Sequence, residues 1–276
     1  MIHRFRFAFV LAAMLSLTAA MAPSGCAVSG TGGELVELEI GFVGATRDGA
    51  ALGVGTTLYD PGWEIELDEA RLVVGGAYVF PPTPVASALL PFLPSAHAHA
   101  GDDNLFAVTA LAEWREQVVV DALSPEVQLT GPFLGEAGEV GAASVWIDSP
   151  RGELAGPDGP TRGHHGWVAG TARRDGETIR FEAGLTLEDT PLSQRVDRIS
   201  IAPGAAVEES SRVVFEVFAG QWLQQVDFDA LRADGVLEPD SDGVVRAVEP
   251  HPLQRAWLID FHDPDAFAVG VQGANL

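Results

Sequence analysis

Between Thr178 and Glu188 every second residue is apolar: Ile179, Phe181, Ala183, Leu185 and Leu187 alternate with polar or small neighbours. Successive side chains of a strand point to opposite faces, so this period of two dictates an extended backbone with one buried side. The same pattern recurs along the chain. In Leu35 to Val43, Val36, Leu38, Ile40 and Phe42 share one face and Glu37 and Glu39 the other. Trp63, Ile65 and Leu67 alternate with Glu64, Glu66 and Asp68, after which the apolar parity moves to Leu72 and Val74. That shift predicts a bulge or turn near Asp68-Glu69. Further strands are expected at Phe106 to Ala112, Gln117 to Ala122, Ala143 to Asp148, Trp167 to Ala172, Arg198 to Ile201 and Arg212 to Phe218.

Turn signals separate these runs: Asp48-Gly49, Asp60-Pro-Gly62, Gly131-Pro132, Asp158-Gly-Pro160, Asp175-Gly176 and Pro203-Gly204. Many short alternating strands broken by such turns specify an all-β fold, an antiparallel β-sandwich-like domain. Helix is confined to one or two short segments near the C-terminus. Asp227 is placed to cap Phe228 to Ala233, with Gly235 ending it, and Pro252 opens a second helix to about Phe261, burying Leu253, Ala256, Trp257 and Phe261. No repeat recurs at a fixed period.

The N-terminus sets Arg4 and Arg6 before an apolar run from Phe7 to Leu17 and small residues leading to Cys26. This is the three-part order of a secretory signal peptide, and the run is too short to span a bilayer as a finished helix. Pro23-Ser-Gly-Cys26 resembles the lipobox of bacterial lipoproteins, in which the cysteine is lipidated and becomes the first mature residue. Pro23 departs from the large aliphatic residue usual there. The expected organisation is a signal peptide over 1–25, a lipid-anchored tether over 26–33 and one domain over 34–276, with a proline-rich loop at 81–103. The resemblance implies an exported protein held in the cell envelope, on the periplasmic or outer-membrane surface, through a lipid on Cys26. About 250 residues remain after export, enough for one large β domain with its own core.

Cys26 is the sole cysteine, so no intramolecular disulfide and no thiolate metal site is available. The chain has 16 basic residues, all arginine, against 39 acidic ones, a net charge of -23. Such a surface repels nucleic acid and anionic lipid headgroups and attracts cations.

Pro81 to Pro94 holds five prolines yet also Val85, Leu89, Leu90, Phe92 and Leu93, too apolar for a solvated linker. It reads as a loop folded back over the sheet, either a packed surface loop or a lid or contact patch beside the histidines that follow, with residues 85–93 as the stretch a protein partner would meet. Pro94-Ser-Ala-His-Ala-His-Ala-Gly-Asp-Asp103 follows. In extended backbone His97 and His99 point the same way, their Cα atoms about 6.5–7 Å apart, a spacing suited to one ion. His164 and His165 form a second pair, flanked by Gly163 and Gly166, and His251 and His262 a looser one. With His97, His99 and one of His164 or His165, plus a carboxylate from Asp102, Asp103, Asp260 or Asp263, a site for zinc or copper can be assembled.

The run Glu238-Pro-Asp-Ser-Asp-Gly-Val-Val-Arg-Ala-Val-Glu249 matches a calcium loop at Glu238, Asp240, Asp242, Gly243 and Glu249. Glu at the first position and Pro250 after the last depart from that pattern, and the competing reading is an acidic Asp-Gly turn entering a strand at Val244 to Val248. No GxSxG, HExxH or glycine-rich phosphate loop occurs, no lysine is present for Schiff-base chemistry, and no catalytic residue is assigned. The strand-rich pattern, grouped histidines, scattered tryptophans and the segment Val226-Asp-Phe-Asp-Ala-Leu231 together resemble periplasmic copper-binding partners of the methanobactin-export type. Those proteins carry further cysteines that this chain lacks, and the copper assignment is not carried over. The sequence therefore points to a non-enzymatic, lipid-anchored envelope protein that binds copper or zinc through clustered histidines. The alternative is a structural or partner-binding envelope lipoprotein whose histidines are incidental.

Overall fold

The alternating segments pair into three sheets. The structure, a computed structural model, describes residues 34–47, 49–58, 62–82, 110–187, 194–247 and 251–273. In chain order the strands are β1 (Leu35–Gly44), β2 (Val54–Thr56), β3 (Glu64–Phe80), β4 (Ala112–Trp114), β5 (Val118–Asp121), β6 (Gln128–Glu136), β7 (Gly138–Glu139), β8 (Ala142–Ile147), β9 (Gly166–Arg174), β10 (Glu177–Leu185), β11 (Arg195–Ile199), β12 (Ala206–Val207), β13 (Ser211–Val217), β14 (Val244–Ala247) and β15 (Phe267–Gln272). Among the described residues there are two short α-helices, both near the C-terminus, α1 (Phe228–Ala233) and α2 (Pro252–Phe261). Asp227 caps α1 by accepting the Ala230 N–H, as its side chain and position require.

Strand β3 is the spine of a nine-stranded sheet. Its parity shift is real: the register against β9 slips between Leu67 and Glu69, so Leu67 and Ala70 both face the core. One edge of β3 pairs with β2, β5 and β4, the other with β9 and then β8. Beyond those lie β11 beside β8, and β10 and β14 beside β9. A four-stranded sheet, ordered β15-β13-β1-β6, packs against it, and β7 and β12 form a small separate pair. Most pairings are antiparallel, but β1 with β13 and β10 with β14 run parallel.

The sheets meet at both margins. On one, Glu136 N–H donates to Leu111 O and Gly44 N–H to Ser124 O; on the other, Ile201 bridges Val269. Among the described residues the result is a sandwich closed at its sides, strand-built apart from the two α-helices and three short 3-10 turns. Its inner faces carry Val36, Leu38, Ile40 and Phe42 from one sheet and Leu72, Val74, Val145, Phe181 and Leu185 from the other. Phe42 spans the gap, 5.4 Å from Phe215 in its own sheet and 6.2 Å from Trp114 in the facing one. Helix α1 seats Phe228 against Trp63 and Phe181, while α2 packs Trp257 and Phe261 around Trp222.

One expected turn is a strand. Gly131-Pro132 lies inside β6, which the sheet tolerates because β6 is an edge. Gly131 adopts φ +90, the register against β1 slips between Glu39 and Gly41, and the Thr130 hydroxyl donates to Ile40 O at 3.0 Å across the irregularity.

Candidate functional site

The register along β3 decides where His164 and His165 sit. Strands β8 and β9 lie end to end on the same edge of β3: Ile147 is opposite Val74 and Gly166 opposite Leu72. At the residue between, Val73 O accepts the Asp148 N–H and Val73 N–H donates to His165 O. Residues 149–164 are thus an excursion thrown out of what would otherwise be one continuous strand, pinned at both ends to Val73.

His165 closes the neck of this excursion. The residue is 5% exposed. Nδ1 accepts the Leu187 backbone N–H at 3.3 Å, which places the ring proton on Nε2, and Nε2 then donates to the Ser149 hydroxyl at 3.0 Å. Both nitrogens are engaged, so the lone pair that a metal would need already accepts a hydrogen bond. Asp148 reinforces the same neck: its carboxylate accepts from the Ser149 N–H, from Gln117 and from Arg151.

The chain bends between Thr161 and His165, with Arg162 at φ +53 and Gly163 at φ +84, and this sends the two imidazoles to different surroundings. His164 lies over Gly184, whose missing side chain makes room for the ring. Its Nδ1 is 3.0 Å from the Thr186 hydroxyl, and its ring stacks on Trp167 at 5.9 Å. The Arg162 guanidinium sits 4.0 Å from the Trp167 ring. The excursion therefore covers Trp167 on the outer face of β9.

The other two described histidines serve α2. His251 is its N-cap, accepting the Leu253 N–H and bonding Val236 O through Nε2. His262 bonds back to Leu258 O at 2.8 Å. His97, His99, Asp102 and Asp103 lie outside the described residues, as do Cys26 and the apolar 85–93 stretch. Among the described residues no group of three or more His, Cys, Asp or Glu side chains is placed to hold a metal ion.

The acidic run forms the turn that competed with the calcium reading. Asp240 Oδ1 accepts the N–H groups of Asp242 and Val244, Gly243 takes φ +75, and β14 begins at once. Arg246 pairs with Asp240 and Asp242, while Glu238 stays exposed and Glu249 lies outside the described residues. Of the four carboxylates of the calcium reading, Asp240 and Asp242 thus meet at Arg246.

Asp260 has a titration displaced far from the ordinary carboxylate range. It belongs to the buried stripe of α2 with Leu253, Trp257 and Phe261, and burial pushes its carboxyl up to about 7. The sequence held a signal for it: Asp260 falls seven residues after Leu253 and three after Trp257, on the apolar side of the helix. Comparison of the chain with protein families, with curated proteins and with solved structures finds no match in any of the three.

Proposed function

We propose that this chain is an exported, lipid-anchored protein of the cell envelope that acts by binding and not by catalysis, with recognition carried by the segment 83–109. The observation behind this reading is the β3–β4 hairpin. Val79 pairs with Ala112, and Leu111 N–H donates to Val79 O, so the residues flanking that segment on either side belong to one ladder. The sandwich is then a mount, and what it mounts is the most distinctive stretch of the sequence, with Val85, Leu89, Leu90, Phe92 and Leu93 as the contact for a protein partner. His164 and His165 belong to the mount, because their hydrogen bonds tie down the 149–164 excursion.

A photo-crosslinking residue at Leu89 or Leu90 of the full chain in its native envelope tests this. A discrete adduct is expected, absent when the probe is moved to Arg173 and when Phe92→Ser and Leu93→Ser are added. Equal labelling at Arg173, or none at 89 and 90, overturns the reading. Cys26→Ala should in parallel release the protein from the membrane fraction.

A second reading rests on the His97-Ala-His99 spacing, which suits chelation of copper or zinc by two imidazoles with Asp102 or Asp103. Elemental analysis of protein from the native envelope separates the two. Stoichiometric copper or zinc that is lost in His97→Ala/His99→Ala makes the metal the ligand, and metal at trace level leaves the protein partner.

A further inference from the structure

We propose that the outer face of the four-stranded sheet, along β1 and β6, lies against the bilayer that holds the lipid of Cys26, with an uncharged or zwitterionic lipid surface as the partner of its exposed apolar side chains. Among the described residues six large apolar side chains are exposed, and four of them, Leu35, Val127, Leu129 and Leu134, gather on this face. The register puts them there. Val36, Leu38, Ile40 and Phe42 of β1 turn into the core, so Leu35, Glu37, Glu39 and Gly41 turn out. Leu134 lies opposite Glu37 and Leu129 opposite Gly41, and side chains directly opposite one another share a face. Val127 precedes β6, but a Cβ on Gly41 would meet its Cγ1 at 2.6 Å and Leu129 Cδ2 at 3.1 Å, so both side chains fold over that glycine.

A strand face that meets only water is polar, and the other outer face of the sandwich shows it: there Glu66 pairs with Arg173 and Glu182 with Arg246. On β1 and β6 the pattern is reversed at its most exposed points. Leu35 and Leu134 are 66% and 67% exposed, and they are diagonal neighbours, since Leu35 is opposite Glu136, two residues beyond Leu134. Such a gathering marks a contact surface. The face, and not the strand edge, is what is offered, because Gly131-Pro132 interrupts β6 as a template for a further strand.

Given the lipid-anchored reading, on which this proposal rests, the tether selects the occupant. Eight residues separate Cys26 from Leu35, so a fully extended chain holds the start of β1 within about 30 Å of the lipid. The leucine pair stands at that end of the sheet, and Gly41, with Val127 and Leu129 over it, follows about 20 Å further along β1. A lipid on Cys26 limits distance and leaves orientation free; the apolar face supplies the second membrane signal that turns the domain. Charge chooses the headgroup. Glu37 and Glu136 rim the leucine pair, Glu39 is held by Arg212 at 3.0 Å, and the chain as a whole carries -23, so an anionic surface is repelled.

The test uses protein isolated from its envelope, reconstituted into phosphatidylcholine vesicles and labelled with a fluorescent dye at Glu37→Cys or, as control, at Arg173→Cys. Cys26 is the sole native cysteine, and the mass of the protein reports whether it carries lipid. Quenching of the dye by a nitroxide lipid should be at least about fivefold stronger at position 37 than at 173, and should fall to the control level in Leu35→Ser/Leu134→Ser, whose exposed side chains leave the core intact. It should persist when the protein is diluted in the vesicles and weaken when phosphatidylglycerol replaces part of the phosphatidylcholine. Equal quenching at 37 and 173 in lipid-bearing protein overturns the docked face and leaves the anchor standing, whereas a bare Cys26 overturns both. Quenching at 37 that changes on dilution makes a second copy the occupant, and quenching strengthened by phosphatidylglycerol refutes the choice of lipid; either result overturns the proposal.

Discussion

A Cβ at position 184 would stand 2.6 Å from both Cγ and Nε2 of the His164 ring, closer than a side chain can approach without displacement. Gly184 is therefore glycine because an imidazole lies on it, not because of its dihedral angles. Gly184→Ala should cost about 1–3 kcal/mol in wild type, the usual range for an overpacked contact, and markedly less in a His164→Ala background. Urea denaturation of the four-member cycle measures the coupling, and equal costs in both backgrounds would remove His164 from the account. The candidate site was legible only to this depth. The sequence displays two adjacent histidines, but an imidazole that ligates a metal and one that ties a loop are written with the same letter. What decides between them is Ser149, 16 residues before His165, and Leu187, 22 residues after it, brought to the ring by pairing across β3 and β10. Asp260 is the opposite case: its apolar helical neighbours gave its burial away, and only its partner, Gln225, needed the fold.

At the scale of elements, alternation marked most strands that have one wet and one dry face, and Asp68-Glu69 carried enough signal to reveal a bulge. It failed where pairing overrides local chemistry. Strand β6 keeps Gly131-Pro132 within it because an edge can forgo a donor, and nothing local shows that β6 is an edge. The parallel register of β1 with β13, Leu38 opposite Ser211, joins residues far apart in the chain and has no local signature. Nor has the union of β8 and β9 along one edge of β3. Close approach between elements is equally silent. Gly55 of β2 faces Gly220 in the turn before α1, and a Cβ on Gly55 would overlap the Gly220 carbonyl, 2.8 Å from its carbon. Both sides of that contact are backbone, so no rotamer change relieves it. Gly49, at φ +72 with nothing within 4 Å, supplies the contrast. Gly55→Ala is expected to destabilise by about 3 kcal/mol or more, at the upper end for overpacking, and Gly49→Ala by about 1 kcal/mol through backbone strain alone. Thermal melts of the two variants check the order, and a reversed order would mean that the turn yields freely.

For the whole molecule the governing quantity is charge. With 39 acidic residues against 16 arginines, three arginines are shared among carboxylates: Arg246 serves Glu182, Asp240 and Asp242, Arg162 serves Glu69 and Glu182, and Arg232 serves Glu177 and Asp229. Several of these lie in one row across the outer face of β3, β9, β10 and β14, where Glu182 is directly opposite both Ala169 and Arg246. Such pairs act at contact distance and are partly exposed, so each contributes little, about 0–1 kcal/mol, and salt weakens them modestly. The surplus of carboxylates repels over longer range, and that repulsion is what salt removes first, since the screening length falls from about 30 Å at 0.01 M to about 3 Å at 1 M. The two effects oppose each other, and the excess of acid over base decides the sign. Stability of the purified protein should rise between about 0.01 M and 0.5 M sodium chloride at pH 7.5, by about 2–4 °C in Tm for each kcal/mol of repulsion screened. Arg246→Ala, which removes one cation from Glu182, Asp240 and Asp242 and leaves Glu182 only Arg162, should enlarge that gain. A Tm that falls with salt would instead make the arginine network, and not the uncompensated acid, the dominant electrostatic fact of the fold.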